Sequence, residues 1–135
     1  MPAKILTALA SIAIVFAIVV SLQPTDFRIA RATTISAPAP VVFTQINDLH
    51  LWKAWSPWAK IDPAMKETHE GSAAGKGAIY HWVGNKEVGE GRMTVTESRP
   101  SDFVKIDLEF IKPFAAQNVT EFAIKPEGAQ TNVSW

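Results

Sequence analysis

The sequence has no cysteine and no excess of charge of either sign. Without cysteine, the 135-residue chain cannot form a disulfide scaffold, a thiolate zinc site or an iron–sulfur site, and it has no cysteine nucleophile. Thirteen basic side chains balance thirteen acidic ones, so the strongly basic surface of a nucleic-acid-binding protein is lacking and we expect no nucleic-acid partner. The length fits one domain of ordinary size.

Charge is also scarce at the N-terminus, where Lys4 is the one charged side chain of residues 1–25. Fifteen of the eighteen residues in 5–22 are Ala, Val, Ile, Leu or Phe. As a helix they would span about 27 Å, close to the roughly 30 Å of a bilayer's hydrocarbon core. We therefore predict an apolar helix over residues 5–22 that crosses the cell (inner) membrane once, with residues 1–25 forming the anchor and its linker.

A cleaved signal peptide is the alternative for this segment, and it would make the protein secreted. The apolar run of a signal peptide is usually about 7–15 residues, shorter than this one. A small-residue cleavage pattern at Ala30-Arg31-Ala32 lies beyond two charged residues, and a second pattern ends at Ser21. Lys4 on one flank and Arg28 and Arg31 on the other nearly balance, so the sequence does not indicate on which side of the membrane the rest lies.

Residues 26–135 begin with a predicted strand and two predicted short helices. Loose alternation over residues 27–35 predicts the strand. Helical spacing of apolar residues follows the two prolines of residues 36–40 and predicts a helix to about His50. Trp52 and Trp55, three residues apart, indicate a second short helix, which Pro57 is expected to end.

From residue 66 onward the apolar pattern has a period of two, which is typical of strands. Six strands are predicted, over residues 66–70, 78–83, 87–97, 103–110, 116–124 and 131–135. Consecutive strands joined by short turns form an antiparallel sheet with one dry face, which must be covered. The sequence therefore predicts an α+β fold, β-α-α-β6, with about seven antiparallel strands.

Four stretches, residues 35–43, 47–58, 77–86 and 91–100, carry a resemblance to a known family. The most specific is the W-x-x-W-S-P-W run from Trp52 to Trp58. With the order of elements, they resemble the helix-grip fold of the START-like SRPBCC superfamily. They look most like its bacterial polyketide cyclase/dehydrase-type subgroup, which carries an N-terminal membrane helix. The resemblance covers residues 26–135.

The resemblance implies a long C-terminal helix across the dry face, and the 135 residues include no segment for it. We therefore expect this START-like domain to lack about one helix of roughly 20 residues at its C-terminus. A sheet left partly bare would expose an apolar patch larger than monomers usually tolerate. Poor stability of the isolated chain is the corresponding expectation.

The family resemblance also implies a hydrophobic cavity between sheet and helices, and aromatic side chains are the candidates to line it. Tyr and Trp suit such walls because each combines an apolar body with a polar group. Tyr80 and Trp82 fall on one face of their strand, where Phe110 can join them. The predicted ligand-binding residues are Trp52, Trp55, Trp58, Tyr80, Trp82 and Phe110. Packing in the core is the alternative interpretation for each of them.

No catalytic constellation, metal site or cofactor motif is evident in the sequence. His50, His69 and His81 lack the spacing of metal ligands, and alternation places His81 on the wetter face of its strand. Four charged residues on the strands are interpreted as solvated: Glu90, Arg92, Glu109 and Lys112. The function expected is binding of a hydrophobic small molecule or lipid without turnover. A polyketide cyclase/dehydrase-like enzyme and a protein-interaction module are the alternatives, and the oligomeric state is not indicated.

Overall fold

A computed structural model describes residues 2–135. Its first element is helix α1, Pro2–Ser21, which agrees with the helix predicted over residues 5–22. The mean hydropathy of its best 18-residue window is 2.5, and none of that window is buried in the protein. The helix is long and apolar enough to cross a membrane, although signal sequences at an N-terminus share these properties.

Seven antiparallel strands form a single sheet, as the alternating pattern predicted. They pair in the order β1-β7-β6-β5-β4-β3-β2, so that β2 to β7 form a meander and β1 closes against β7. The strands are β1 (Ala32–Ile35), β2 (Lys66–Gly71), β3 (Ala78–Val83), β4 (Glu90–Arg99), β5 (Phe103–Lys112), β6 (Ala116–Glu127) and β7 (Gln130–Ser134). Together with the helices this gives the predicted α+β, helix-grip-like architecture.

The core lies on one face of the sheet, called here the inner face. Alternate residues of β3 to β7 point into it, and the most deeply buried include Val95, Val104, Ile106 and Ile124. Three residues of the helix that follows β1 close this core from above: Ala39, Val42 and Ile46. The opposite, outer face carries ion pairs such as Arg92–Glu109, in which Nη2 and Oε2 are 3.2 Å apart.

Three short helices connect β1 to β2, and their boundaries differ from the prediction. Helix α2, Ala39–Asn47, ends before His50 because Asp48 adopts an extended conformation and its carboxylate accepts the amide of His50. A 3₁₀ helix, Leu49–Ala54, follows. Pro57 does not end a helix but begins helix α3, Pro57–Ile61, where its missing amide costs no helical hydrogen bond.

Strand β1 is shorter than predicted. Only Ala32–Ile35 pair with β7, and Arg31 adds two backbone hydrogen bonds to Trp135. Residues 27–30 pair with no strand of the part that the structure describes, and the side chains of Phe27 and Ile29 are exposed. Alternation alone does not make a strand, because a strand also needs a partner for its backbone groups.

The loop between β3 and β4 is longer than the predicted tight turn. The side-chain oxygen of Asn85 accepts the amides of Glu87 and Val88, and Gly89 has φ 69°, a conformation that glycine adopts without strain. The Asp62 carboxylate, just after α3, accepts the amide of Asn85 at 2.8 Å. This bond fastens the loop to the end of α3, on the side of the molecule where the cavity lies.

Candidate functional site

A cavity of about 260 Å³ lies between the inner face of the sheet and the short helices. Most of its lining is apolar or aromatic: Trp52, Trp58, Ala59, Met65, Tyr80, Trp82, Val88, Met93, Leu108, Phe110 and Pro113. The remaining lining residues are Lys53, Ser56, Glu67, Glu87 and Lys112. Five of the six aromatic residues predicted from the sequence are therefore brought together here.

Strand β3 builds the floor of the cavity. Its residues alternate between buried and partly exposed, which directs Tyr80 and Trp82 to the inner face. Their ring centroids are 6.0 Å apart and the planes differ by 23°. Phe110 of β5 meets the Trp82 ring edge-on at 6.2 Å, and the Trp82 indole nitrogen donates to the Val88 carbonyl at 3.4 Å. The three rings form a continuous aromatic surface.

The Trp82 ring occupies this position because its cross-strand neighbour is a glycine. Gly91 of β4 pairs directly with Trp82. A Cβ atom at Gly91 would overlap the six-membered part of the indole and would also approach the Glu109 carbonyl to 2.7 Å. Gly91 therefore leaves room for Trp82 to lie against the sheet.

Two tryptophans of the helical segment complete the wall opposite β3. Trp52 donates its indole N–H to the Ile46 carbonyl at 2.9 Å and meets the Phe122 ring edge-on at 6.0 Å. These contacts fix the ring between α2 and the sheet. Trp58, at the start of α3, lines the cavity while 54% of its surface is exposed, so it stands at the mouth.

Trp55 does not line the cavity, which differs from the expectation. Its indole N–H donates to the Gln45 carbonyl at 3.1 Å, and its ring packs at 4.5 Å against the far side of the Trp52 ring. Trp55 directly follows the 3₁₀ helix, its backbone is no longer helical (φ −127°), and 39% of the residue is exposed. Trp55 supports Trp52 and has no contact with the cavity.

Glu67 is the acidic side chain on the inner face within the cavity. It pairs with Trp82 across β2 and β3, so both side chains project from the same face. Burial, and next the charge of the neighbouring Glu67 carboxylate, raise the pKa of the Tyr80 hydroxyl well above its usual range. Tyr80 is therefore a neutral hydrogen-bonding group at physiological pH.

A histidine pair beside the cavity was not anticipated from the sequence. His69, which pairs with Tyr80 across β2 and β3, stacks on His50 with 4.0 Å between ring centroids. The Asp48 carboxylate lies 2.9 Å from His50 Nδ1, and His69 Nε2 is buried with no hydrogen-bond partner among residues 2–135. Glu67 and His69 are two residues apart on β2, and this spacing alone could have predicted that they project from the same face of the strand.

The third histidine lies on the outer face, as alternation predicted. His81 Nε2 is 3.0 Å from Glu90 Oε1, and the second oxygen of Glu90 is 3.8 Å from Lys112 Nζ. Arg92 and Glu109 pair on the same face. Lys112 differs from the rest because it also borders the cavity, although 75% of its side chain is exposed.

The site offers burial of apolar surface, aromatic faces, the hydroxyls of Tyr80 and Ser56, and the Glu67 carboxylate. Three exposed charged residues also border it: Lys53, Glu87 and Lys112. Within residues 2–135, no group of three or more His, Cys, Asp or Glu side chains is placed to hold a metal ion. Apolar walls with a few polar groups are the usual construction of a small-molecule binding site. The geometry therefore favours binding of a largely apolar molecule.

Comparison with known proteins identifies the fold but not a family. No family model matches the sequence, and no curated protein is significantly similar to it. Thirteen chains of solved structures do match. Protein CV1439 from Chromobacterium violaceum has a TM-score of 0.59 and 15% identity, over 78% of this chain and 74% of its own.

Two further solved structures show the same likeness. The Aha1 dimer from Colwellia psychrerythraea matches with a TM-score of 0.55 and 16% identity, over 78% of this chain and 71% of its own. CalU16 from Micromonospora echinospora matches with a TM-score of 0.54 and 14% identity over 78% of this chain. The present chain spans 55% of CalU16. The chain has the α+β, helix-grip-like fold that these proteins share.

Proposed function

We propose that this chain is a START-like SRPBCC domain that binds a hydrophobic small molecule or lipid in the cavity without turning it over. The observation that carries the proposal is the cavity itself, in which Trp52, Tyr80, Trp82 and Phe110 meet around open space. Aromatic rings around open space, with a few polar groups among them, are the usual construction of a small-molecule site.

The size of the cavity sets the scale of the ligand. A volume of about 260 Å³ is near the lower end of small-molecule sites, which run from about 300 Å³ upward. It fits an aromatic compound or one segment of a lipid. Burial of roughly 200 Å² of apolar ligand surface would contribute about 5 kcal/mol before the costs of association are subtracted.

We further propose that α1 anchors the domain in the cell membrane as a single-pass helix. Its twenty residues span about 30 Å, which matches the hydrocarbon core of a bilayer. Residues 1–25 would then be anchor and linker, and residues 26–135 the binding domain. A protein that remains in washed membranes with its N-terminal segment intact supports the anchor, whereas a soluble, shortened protein supports a cleaved signal peptide.

The ligand-binding proposal is tested with the full chain in lipid nanodiscs. The protein is incubated with lipid extracts and with a panel of aromatic compounds, and native mass spectrometry detects what stays bound. We expect a bound apolar molecule that Trp82→Ala releases and that Trp55→Phe retains. Absence of any bound molecule would overturn the proposal.

The same spectra address turnover. A molecule recovered at unchanged mass after prolonged incubation supports binding alone. A recovered mass lower by one water would instead support the polyketide cyclase/dehydrase-like alternative. Tyr80 is the cavity group to change in that case, because it is the hydroxyl on the inner face.

A further inference from the structure

The cavity combines aromatic faces with one partly buried carboxylate, that of Glu67. Trp82 and Tyr80 present rings from the floor, Trp52 and Trp58 from the helical side, and Phe110 from the next wall. Glu67 projects among them from β2, beside Trp82. The negative face of an aromatic ring and a carboxylate attract the same kind of group, a cation.

The Glu67 carboxylate has no ionic partner in the part of the chain that the structure describes. No Lys, Arg or His nitrogen is recorded within 4.0 Å of it there, whereas Glu90, Glu109 and Glu121 each have such a partner. The Tyr80 hydroxyl is a hydrogen-bonding neighbour of this carboxylate but not a cation, so the partly buried charge is left without a counter-charge, which a bound cation would supply. The neighbouring Tyr80 hydroxyl stays neutral and supplies no compensating charge.

The other charged groups of the cavity stand at its mouth. Lys53 and Glu87 are exposed, and Lys112, with 75% of its side chain exposed, is turned toward Glu90. These two ammonium groups and the one carboxylate are solvated, so water screens their effect on a ligand. Glu67 is therefore the charged lining residue that a buried part of a ligand would contact away from solvent.

We propose that the cavity selects apolar molecules that carry an ammonium or quaternary ammonium group, held between the aromatic rings and Glu67. This inference rests on the proposed binding function and specifies its ligand class. The apolar part of the molecule fills the space along Met93 and Leu108, and the cation lies beside Glu67. Cation–π contacts are stronger in a desolvated site than at an exposed one.

The test compares phenyltrimethylammonium with tert-butylbenzene, which has nearly the same shape and no charge. Affinities are measured by titration calorimetry on the full chain in zwitterionic nanodiscs, and empty nanodiscs are subtracted. We expect the cation to bind at least about tenfold more tightly than its neutral isostere. Glu67→Gln should abolish this preference, and Glu70→Gln, at an exposed position of the same strand and outside the cavity, should preserve it.

A second variant guards against a folding defect in Glu67→Gln. Glu67→Asp changes the same position but keeps the carboxylate, so it should retain the preference for the cation that Glu67→Gln loses. Equal affinity for the two compounds, or a preference unchanged in a folded Glu67→Gln, would overturn the ligand class while leaving the binding function in place. Failure of the wild type to bind either compound, together with empty native mass spectra, would overturn both.

Discussion

The indole ring of Trp82 lies over Gly91, its directly paired neighbour on the next strand, in space that a side chain at residue 91 would fill. This relationship places the six-membered part of the Trp82 indole, the largest ring of the cavity floor, next to the backbone of β4. The open volume above the floor therefore depends on the absence of a single Cβ atom.

Gly91→Ala should destabilise the protein and displace Trp82. Alanine ordinarily favours a strand over glycine by about 0.5–1 kcal/mol, but the overlap with the indole outweighs this gain. We expect a net loss of about 1–3 kcal/mol in the free energy of unfolding, measured with urea. In a Trp82→Phe background the same change should cost less, because phenylalanine lacks the overlapping atoms. Additive costs in this double-mutant cycle would contradict the proposed contact.

Trp52→Phe and Trp55→Phe form a matched pair that separates the cavity wall from its support. Each change removes one indole N–H bond to a backbone carbonyl, at 2.9 and 3.1 Å respectively, so each should cost about 1 kcal/mol of stability. Only Trp52 lines the cavity. Binding of the neutral fluorescent probe N-phenylnaphthylamine should weaken severalfold in Trp52→Phe and stay near wild type in Trp55→Phe. Weaker binding in Trp55→Phe than in Trp52→Phe would contradict the assignment of Trp52 to the cavity wall.

Tyr80 should resist ionisation, and its titration can be observed alone because it is the one tyrosine of the chain. Burial raises its pKa in the folded protein above the value of about 10 expected in the unfolded chain. Above that pH the unfolded state binds fewer protons, so stability falls as pH rises. We expect no tyrosinate absorbance near pH 10 until the protein unfolds. Tyr80→Phe should lose less stability than wild type between about pH 10 and 11. Ionisation of Tyr80 near pH 10 in the folded wild type would contradict the burial of its hydroxyl.

Thr131→Val should weaken the junction between β7 and the segment after β1. Thr131 is fully buried, and its hydroxyl donates to the Ala37 carbonyl at 2.7 Å. Valine keeps the shape but removes the donor, so we expect a loss of about 1–2 kcal/mol in urea unfolding. Thr34→Val, at an exposed position of β1, is the control and should change little. Equal effects of the two substitutions would show that the buried bond contributes nothing.

The sheet could be predicted from the sequence because each strand has one dry and one wet face. In β5 the alternation of Val104, Ile106 and Leu108 with charged residues indicates a strand with one buried and one solvated face, as found. The start of β1 could not be predicted, because its extent depends on pairing with β7 and the pattern of one strand does not contain its partner. Pro57 was misplaced for a related reason: proline is compatible with both the end and the first turn of a helix.

The candidate site was partly predictable. Tyr80, Trp82 and Phe110 follow from strand periodicity, which is why they meet as expected. Trp55 did not follow, because the 3₁₀ helix ends at Ala54 and the non-helical backbone of Trp55 breaks the helical spacing from Trp52. The position of Glu67 in the cavity could not be predicted, because β2 carries polar residues on both faces. Only its pairing with β3 shows which of these residues point to the inner face.

If α1 lies in a membrane as proposed, the ten residues between α1 and β1 limit how far the rest of the chain can lie from it. They could reach at most about 35 Å if fully extended. Arg28 Nη2 lies 3.1 Å from Glu121 Oε2 of β6, and while this exposed ion pair is formed the free part of the linker is shorter still. With α1 in a bilayer, the linker would keep the cavity within about one domain diameter of the membrane surface. Molecules dissolved in that membrane would then meet the cavity at a high local concentration, and modest intrinsic affinity would suffice to keep it filled.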